Sequence, residues 1–123
     1  MLDIQLASAG TDTGECRLVN VYFPYKSTEL VAAAQRWLDY DRRCLKARGV
    51  KAVLLRGHTD SRGTDSYNRQ LSVRRGQAVR QMLVATGFDL PIKVHGVGKR
   101  QPLRHEKTER GYAYNRRVEL VVQ

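Results

Sequence analysis

The 123-residue chain has few of the residues that usually build catalytic or metal centres. Its three histidines and two distant cysteines have neither the spacing of a metal cluster nor that of a zinc site. No glycine-rich stretch is long enough for a phosphate-binding loop. No serine or cysteine is set beside a histidine, and no carboxylate pair suits sugar cleavage. The sequence therefore predicts a binding protein without a metal or cofactor rather than an enzyme.

Long apolar stretches are absent as well. No segment approaches the roughly 20 apolar residues of a membrane span, and residues 1–14 lack the apolar core of a signal peptide. Internal repeats, low-complexity segments and linkers rich in proline and serine are also missing, so the length indicates one domain with a single core. We expect residues 1–17 to be a linker or N-terminal extension and residues 18–123 to be the folded domain.

Acidic residues are scarce relative to basic ones. Twelve aspartates and glutamates face 22 lysines and arginines, which gives a net charge of +10. Such a surplus favours anionic partners, including nucleic acid and the acidic polymers of a cell envelope. However, aromatic residues make up only 7% of the chain, are scattered, and accompany no known nucleic-acid motif. Binding of nucleic acid or another anionic polymer is therefore the alternative function, not the first.

Apolar periodicity predicts an alternation of strands and helices. Runs of β-branched and aliphatic residues predict strands at 18–23, 50–56, 92–96 and Arg117–Val122, and three-and-four spacing predicts helices at 28–46 and 67–86. Trp37 belongs to the apolar stripe of the first helix and is expected in the core. Residues 98–110 are predicted to be a loop with at most a short helical turn. This order, βαβαβ with a last strand, predicts an α+β sandwich of two main helices on one mixed four-stranded sheet.

A charged residue lies on the apolar face of the second predicted helix. Arg75 stands four residues after Leu71 and four before Val79, so it should face the core with them. Because arginine does not lose its charge to escape burial, it needs a carboxylate partner or a ligand that carries one. Asp60 is the candidate partner, since it follows the strand at 50–56 and ligands tend to bind at such strand ends. Considered alone, Asp60 would fit a turn or a helix cap equally well.

A second arginine shows the same pattern near the C-terminal end. Arg116 shares the face of Val118 and Leu120 by the alternation of the last strand. It follows Asn115, whose side-chain amide both donates and accepts hydrogen bonds. The alternative interpretation places Arg116 beyond the edge of the sheet, in solvent.

The residues around Asp60 and Arg75 belong to a longer motif. It consists of Gly57-His58-Thr59-Asp60, Gly63, Tyr67-Asn68, Leu71-Ser72, Arg75 and Val79, followed by Gly96-Val97-Gly98, Pro102 and Asn115-Arg116-Arg117-Val118. This motif resembles the OmpA-like peptidoglycan-binding domain, and the resemblance covers residues 18–122. It implies a module that grips the diaminopimelate-containing stem peptide of the Gram-negative cell wall.

The resemblance also implies roles for individual residues. Asp60 takes the ammonium and Arg75 the carboxylate of the zwitterionic end of diaminopimelate, which suits their charges and the bidentate geometry of arginine. Many relatives have an aspartate after the residue that matches Phe23, whereas this chain has Pro24-Tyr25-Lys26, so Lys26 either replaces or removes a ligand contact. The other residues implied to line or brace the pocket are Thr59, Ser61, Asn68, Leu71 and Arg116.

A wall-binding domain of this kind works in the periplasm. We therefore expect a signal sequence, lipid anchor or membrane helix outside this chain, and envelope partners reached through the rest of the full-length protein. Relatives tether the outer membrane or anchor motors and secretion machines. Cys16 precedes the first strand and Cys44 lies near the end of a helix that doubles back along it. Because the periplasm oxidises thiols, we predict a disulfide between Cys16 and Cys44, with two packed free thiols as the alternative.

Overall fold

The computed structural model describes residues 17–123. In chain order the elements are β1 Val21–Tyr22, α1 Ala34–Ala47, β2 Val53–His58, α2 Asp65–Ala85, β3 Ile92–Gly98, α3 Glu109–Asn115 and β4 Arg117–Val122. Over residues 17–123, three helices and one four-stranded mixed sheet confirm the predicted α+β class. Within the described residues, no helix combines the length and apolar character needed to cross a membrane.

The strands lie in the order β1, β4, β2, β3. β4 runs antiparallel to both of its neighbours, whereas β2 and β3 are parallel and are joined through α2. Gly57 at the end of β2 pairs with Val118 near the start of β4, and His58 pairs with Gly98 at the end of β3. The loop that leaves β2 therefore emerges at the end of the sheet where β3 ends and β4 begins.

The core lies between the sheet and helices α1 and α2. Val53 and Leu55 of β2 are fully buried and belong to one apolar cluster with Leu38 of α1 and Leu83 of α2. Trp37 is partly buried against this cluster, as predicted, and meets Tyr22 edge-to-face with ring centroids 6.3 Å apart.

Helix α2 approaches the sheet closely at a glycine. A Cβ on Gly76 would lie 2.6 Å from Cγ1 of Val94, which is closer than carbon atoms approach without movement. Glycine weakens a helix by about 1 kcal/mol relative to alanine, so the sequence alone marks Gly76 as unfavourable. The fold explains the residue, because the missing Cβ lets α2 pack directly on β3.

Two predicted boundaries near the start of the domain were too generous. The first strand covers only Val21–Tyr22, and the first helix begins at Ala34 rather than at residue 28. The connecting segment is instead held as a turn, in which the Ser27 hydroxyl accepts the Glu29 backbone N–H at 2.9 Å and the Ser27 carbonyl accepts a side-chain hydrogen bond from Arg75. The contact with Arg75 therefore holds Ser27 in a turn ahead of the helix. Local periodicity does not reveal this contact, because Arg75 is distant in the sequence.

Other boundaries shifted for local reasons. β2 spans Val53–His58 instead of 50–56, and β3 continues to Gly98. The helix α3 begins at Glu109, within the predicted loop at 98–110, and continues to Asn115. Its start is capped by the Thr108 hydroxyl, which accepts the Gly111 backbone N–H at 3.2 Å. Seven residues are too short for a periodic apolar stripe, so the sequence analysis missed this helix. The last strand has the predicted bounds.

Cys44 lies in the buried face of α1 and is not a free thiol. Cys16 lies outside the described residues, so the pairing of these two cysteines stays a prediction.

A fully buried carboxyl group on α1 makes the stability of the fold depend on pH. Asp41 has no exposed surface, one of its oxygens accepts the Val19 backbone N–H at 2.8 Å, and the other has no hydrogen-bond partner. Burial raises the pKa of Asp41 to about 8, and the Val19 hydrogen bond offsets only part of that effect. Between pH 4 and 8 the folded protein keeps a proton that the unfolded chain releases. The free energy of unfolding therefore falls as the pH rises through this range.

We expect Asp41→Asn to stabilise the protein, by on the order of 3 kcal/mol at pH 8 and by much less near pH 4. Denaturant unfolding at both pH values measures this difference. Asp89→Asn, at an exposed position, is the matched control and should change little at either pH. An equal effect of Asp41→Asn at the two pH values would contradict the role of burial.

Candidate functional site

A pocket of about 350 Å³ opens where the chain leaves β2. Its walls come from the loop after β1, the loop after β2 and the first half of α2. Six of the residues predicted for the site line it: Lys26, Thr59, Asp60, Asn68, Leu71 and Arg75. Of the other two, Ser61 is exposed beside the pocket, and Arg116 lies behind it in contact with Asp60.

Asp60 is a buried carboxylate with several cationic neighbours. Its side chain is only 5% exposed, and its oxygens accept hydrogen bonds from the backbone N–H and the guanidinium of Arg62. A guanidinium nitrogen of Arg116 lies 3.5 Å from Oδ2 of Asp60. Burial opposes ionisation of Asp60, but the hydrogen bonds from Arg62 and the charges of Arg62 and Arg116 outweigh it and lower the pKa. The carboxylate is therefore charged at neutral pH.

Arg75 is 1% exposed, so the prediction that it faces the interior is confirmed. Its guanidinium donates to three backbone carbonyls, those of Pro24 at 3.1 Å, Ser27 at 2.9 Å and His58 at 3.2 Å. Burial and the charge of Arg116 lower the pKa of Arg75 to about 10, which leaves it protonated at neutral pH.

The predicted direct pairing of Arg75 with Asp60 is wrong. The Asp60 charge favours the protonated guanidinium, but the two side chains form no ion pair in the structure. Backbone carbonyls replace the carboxylate as hydrogen-bond partners of Arg75, because three chain segments present their carbonyls to one buried point. Sequence spacing cannot reveal such an arrangement, since carbonyl groups are common to every residue.

Arg116 is 6% exposed, which excludes the alternative that it lies in solvent beyond the sheet. It follows the last residue of α3, and its Nε donates to the Phe23 carbonyl at 2.9 Å while Nη2 contacts Glu109 at 2.8 Å. Its remaining nitrogen, Nη1, faces Asp60 without a hydrogen bond. Arg116 therefore connects the segment that follows β1, the helix α3 and the carboxylate of the pocket.

Polar side chains hold the pocket loop in place. The Asn68 amide donates to the Arg62 carbonyl at 2.8 Å, and Asn68 itself is buried in α2. The Thr59 hydroxyl donates to the Asp60 carbonyl at 3.1 Å, and the Thr59 backbone N–H donates to the Gly98 carbonyl at 2.9 Å. These contacts make Asn68 and Thr59 supports of the loop that presents Asp60. Leu71 is buried and supplies an apolar part of the wall.

Lys26 sits at the rim of the pocket in an unusual backbone conformation. Its φ of 56° lies in the left-handed region, which residues other than glycine rarely adopt. Its ammonium lies 5.4 Å from the centre of the exposed Tyr25 ring. The side chain therefore stands at the entrance rather than within the buried part of the site.

Arg62 is the residue that the sequence analysis missed. Its guanidinium lies 3.9 Å from the ring centre of Tyr25 and 4.0 Å from that of Tyr112, so it is held between two aromatic rings. Nη2 of Arg62 is 2.8 Å from Oδ2 of Asp60 and Nε is 3.2 Å from Oδ1. Its position two residues after Asp60 was the available signal, but only the fold brings Tyr25 and Tyr112 together around it.

His58 is the last residue of β2 and lies in the interior beside the pocket loop. It is 1% exposed, and its ring nitrogen Nε2 lies 2.9 Å from Glu119 of β4. Burial and the nearby Arg117 charge lower the pKa of His58 despite the contact with Glu119. Its imidazole is absent from the pocket lining, and it is the His58 carbonyl that reaches Arg75. Among residues 17–123, no group of three or more histidine, cysteine or acidic side chains could hold a metal ion.

The chain matches the OmpA family over residues 22–116, a span that contains every residue of this pocket. The chain belongs to the OmpA family. It is 40% identical over 104 residues to a peptidoglycan-associated lipoprotein of Pseudomonas aeruginosa, a match that covers 84% of this chain and 61% of that protein. The OmpA-family chain thus spans less than two thirds of this curated relative.

Solved structures of relatives share the fold. The peptidoglycan-associated lipoprotein from Burkholderia pseudomallei superposes with a TM-score of 0.78 at 34% identity, covering 85% of this chain and 89% of that one. The cell wall anchor of the T6SS from Pseudomonas aeruginosa gives a TM-score of 0.68 at 26% identity, covering 96% and 94%. The family assignment therefore rests on both sequence and fold.

Proposed function

We propose that this OmpA-family domain binds peptidoglycan non-covalently by holding the diaminopimelate of its stem peptide in the pocket around Asp60. The observation that carries the proposal is the burial of an ionised carboxylate and a protonated guanidinium, Asp60 and Arg75, in the lining of one small pocket. Buried charges are costly unless they have partners, and a zwitterionic head group provides both signs of charge at once.

The hydrogen-bonding capacity of Arg75 fits this role. A guanidinium has five N–H donors, and the three carbonyl contacts of Arg75 use one N–H on each of its three nitrogens. One N–H on each terminal nitrogen remains for a ligand carboxylate. The carbonyls thus orient the fork, and the ligand carboxylate completes it, while Asp60 accepts the ammonium.

The relatives support the same proposal. A peptidoglycan-associated lipoprotein and a cell wall anchor are both similar to this chain over most of its length. These likenesses support the proposal that the domain acts in the periplasm as a non-enzymatic anchor for an envelope protein or complex.

Calorimetry with a soluble stem peptide containing diaminopimelate tests the proposal. We expect the wild type to bind and Asp60→Asn to lose about 2–4 kcal/mol of binding free energy, because the ligand ammonium would be left without its carboxylate. Asp65→Asn is the matched control, since Asp65 is exposed in the first turn of α2 outside the pocket lining. Circular dichroism of each variant checks whether the fold persists.

Two results would reject the proposal: no binding of the peptide to the wild type, or equal binding by wild type and Asp60→Asn. Titration of a DNA duplex in parallel addresses the alternative function suggested by the net charge of +10. Binding to DNA alone, with a steep loss on adding salt, would favour that alternative.

A further inference from the structure

The carboxylate of Asp60 already has an internal partner. Arg62 engages both oxygens of Asp60, with Nε 3.2 Å from Oδ1 and Nη2 2.8 Å from Oδ2, and its backbone N–H adds a further bond of 3.1 Å. Two parallel N–H bonds to one carboxylate are the strongest geometry available to arginine. A ligand ammonium that enters the pocket therefore competes with the Arg62 guanidinium for the oxygens of Asp60, and it pairs fully with the carboxylate only when that guanidinium moves away.

The displaced guanidinium has a place to remain. It lies between the rings of Tyr25 and Tyr112, and these contacts do not depend on Asp60. Glu109 of α3 is 4.0 Å from Nη2, and the Arg62 side chain is 34% exposed, so part of it borders open space. The guanidinium can shift by a short distance along the rings and still lie at the pocket.

The cost of this shift depends on the ligand. A simple amine pairs with Asp60 but offers no anionic group to Arg62. The guanidinium then loses its bidentate partner in a site that also contains the charges of Arg75 and Arg116. A zwitterion brings a carboxylate next to its ammonium, and this carboxylate can accept hydrogen bonds from Arg75 and the shifted Arg62. Exchange of partners is then nearly balanced for a zwitterion and unfavourable for an amine.

We infer that Arg62 is a specificity-determining residue. It pairs with Asp60 in the free protein, and it is displaced only by a ligand that carries an anionic group beside its ammonium. The inference rests on the proposed function. It predicts discrimination between diaminopimelate, whose side chain ends in a zwitterion, and lysine, whose side chain ends in an ammonium alone.

Calorimetry of wild type, Arg62→Gln and Arg74→Gln with two stem peptides tests the inference. The peptides differ only in carrying diaminopimelate or lysine at the third position. In Arg62→Gln we expect the lysine peptide to bind more tightly than it binds wild type, so that the preference for diaminopimelate falls about tenfold. Arg74→Gln removes the same charge from an exposed position of α2 and should leave the preference unchanged.

A titration without ligand tests the pairing itself. The carboxyl carbon of Asp60, followed by NMR, should show a higher pKa in Arg62→Gln than in wild type. An unchanged pKa of Asp60 would overturn the inference, as would a preference between the peptides that is the same in wild type and Arg62→Gln. Failure of both peptides to bind either protein would instead reject the proposed function and this inference with it.

Discussion

Replacing Arg75 with methionine is expected to abolish binding of the stem peptide and to lower the free energy of unfolding by about 3–5 kcal/mol. The variant leaves the carbonyls of Ser27 and His58 without the Arg75 donor, whereas the Pro24 carbonyl keeps its hydrogen bond from the Ser27 backbone N–H at 3.2 Å. A buried acceptor without a partner costs about 1–3 kcal/mol, and two carbonyls lose the Arg75 donor in this way, although relaxation recovers part of that cost. The same residue therefore supports both the fold and the site.

Denaturant unfolding and calorimetry measure these two effects. Arg74→Met is the matched control, because the neighbouring Arg74 is exposed on α2 and should change stability by no more than about 0.5 kcal/mol. Arg75→Lys keeps the charge but not the planar fork, so it should recover only part of the stability. If Arg75→Met were as stable as wild type, the carbonyl contacts would not be structural.

Replacing Gly57 with alanine is expected to prevent stable folding or to cost at least about 3 kcal/mol. A Cβ on Gly57 would overlap the backbone carbonyl of Ser72 in α2, and a helix backbone cannot rotate aside as a side chain does. The helix would have to move away from β2, which would also shift Asn68 and Arg75 in the pocket. Expression level, solubility and thermal unfolding measure the outcome.

Gly76→Ala is the informative comparison for Gly57→Ala. Its Cβ would also be too close to a neighbour, at 2.6 Å, but that neighbour is a methyl group of Val94. Alanine also favours the helix by about 1 kcal/mol, which offsets part of the strain. We therefore expect a smaller loss for Gly76→Ala, and the reverse order of the two variants would contradict the argument from backbone rigidity.

Much of the site was predictable because the relevant patterns are local. The spacing of Leu71, Arg75 and Val79 placed an arginine on the buried face of a helix, and that placement is independent of the rest of the chain. Asp60 followed a recognisable buried strand, so its position at a sheet edge was predictable as well. The motif residues extended these two observations to a family.

The partners of the charged groups were not predictable in the same way. Arg75 bonds carbonyls of residues 24, 27 and 58, and Arg62 lies between rings at positions 25 and 112. These contacts join segments that are far apart in the chain, and backbone carbonyls leave no pattern in a sequence. The short helix α3, which carries Tyr112 and Glu109, was missed for the related reason that its stability comes from packing and a cap rather than from periodicity.

The sequence by itself determined the fold class, the order of the main elements, the last strand and the burial of Arg75, because helical and strand periodicities record which face of each element meets the core. Only the tertiary structure decided which atoms satisfy each buried charge. These partners depend on where loops that are distant in the sequence come together. Arg75 therefore donates to backbone carbonyls, and Asp60 pairs with Arg62.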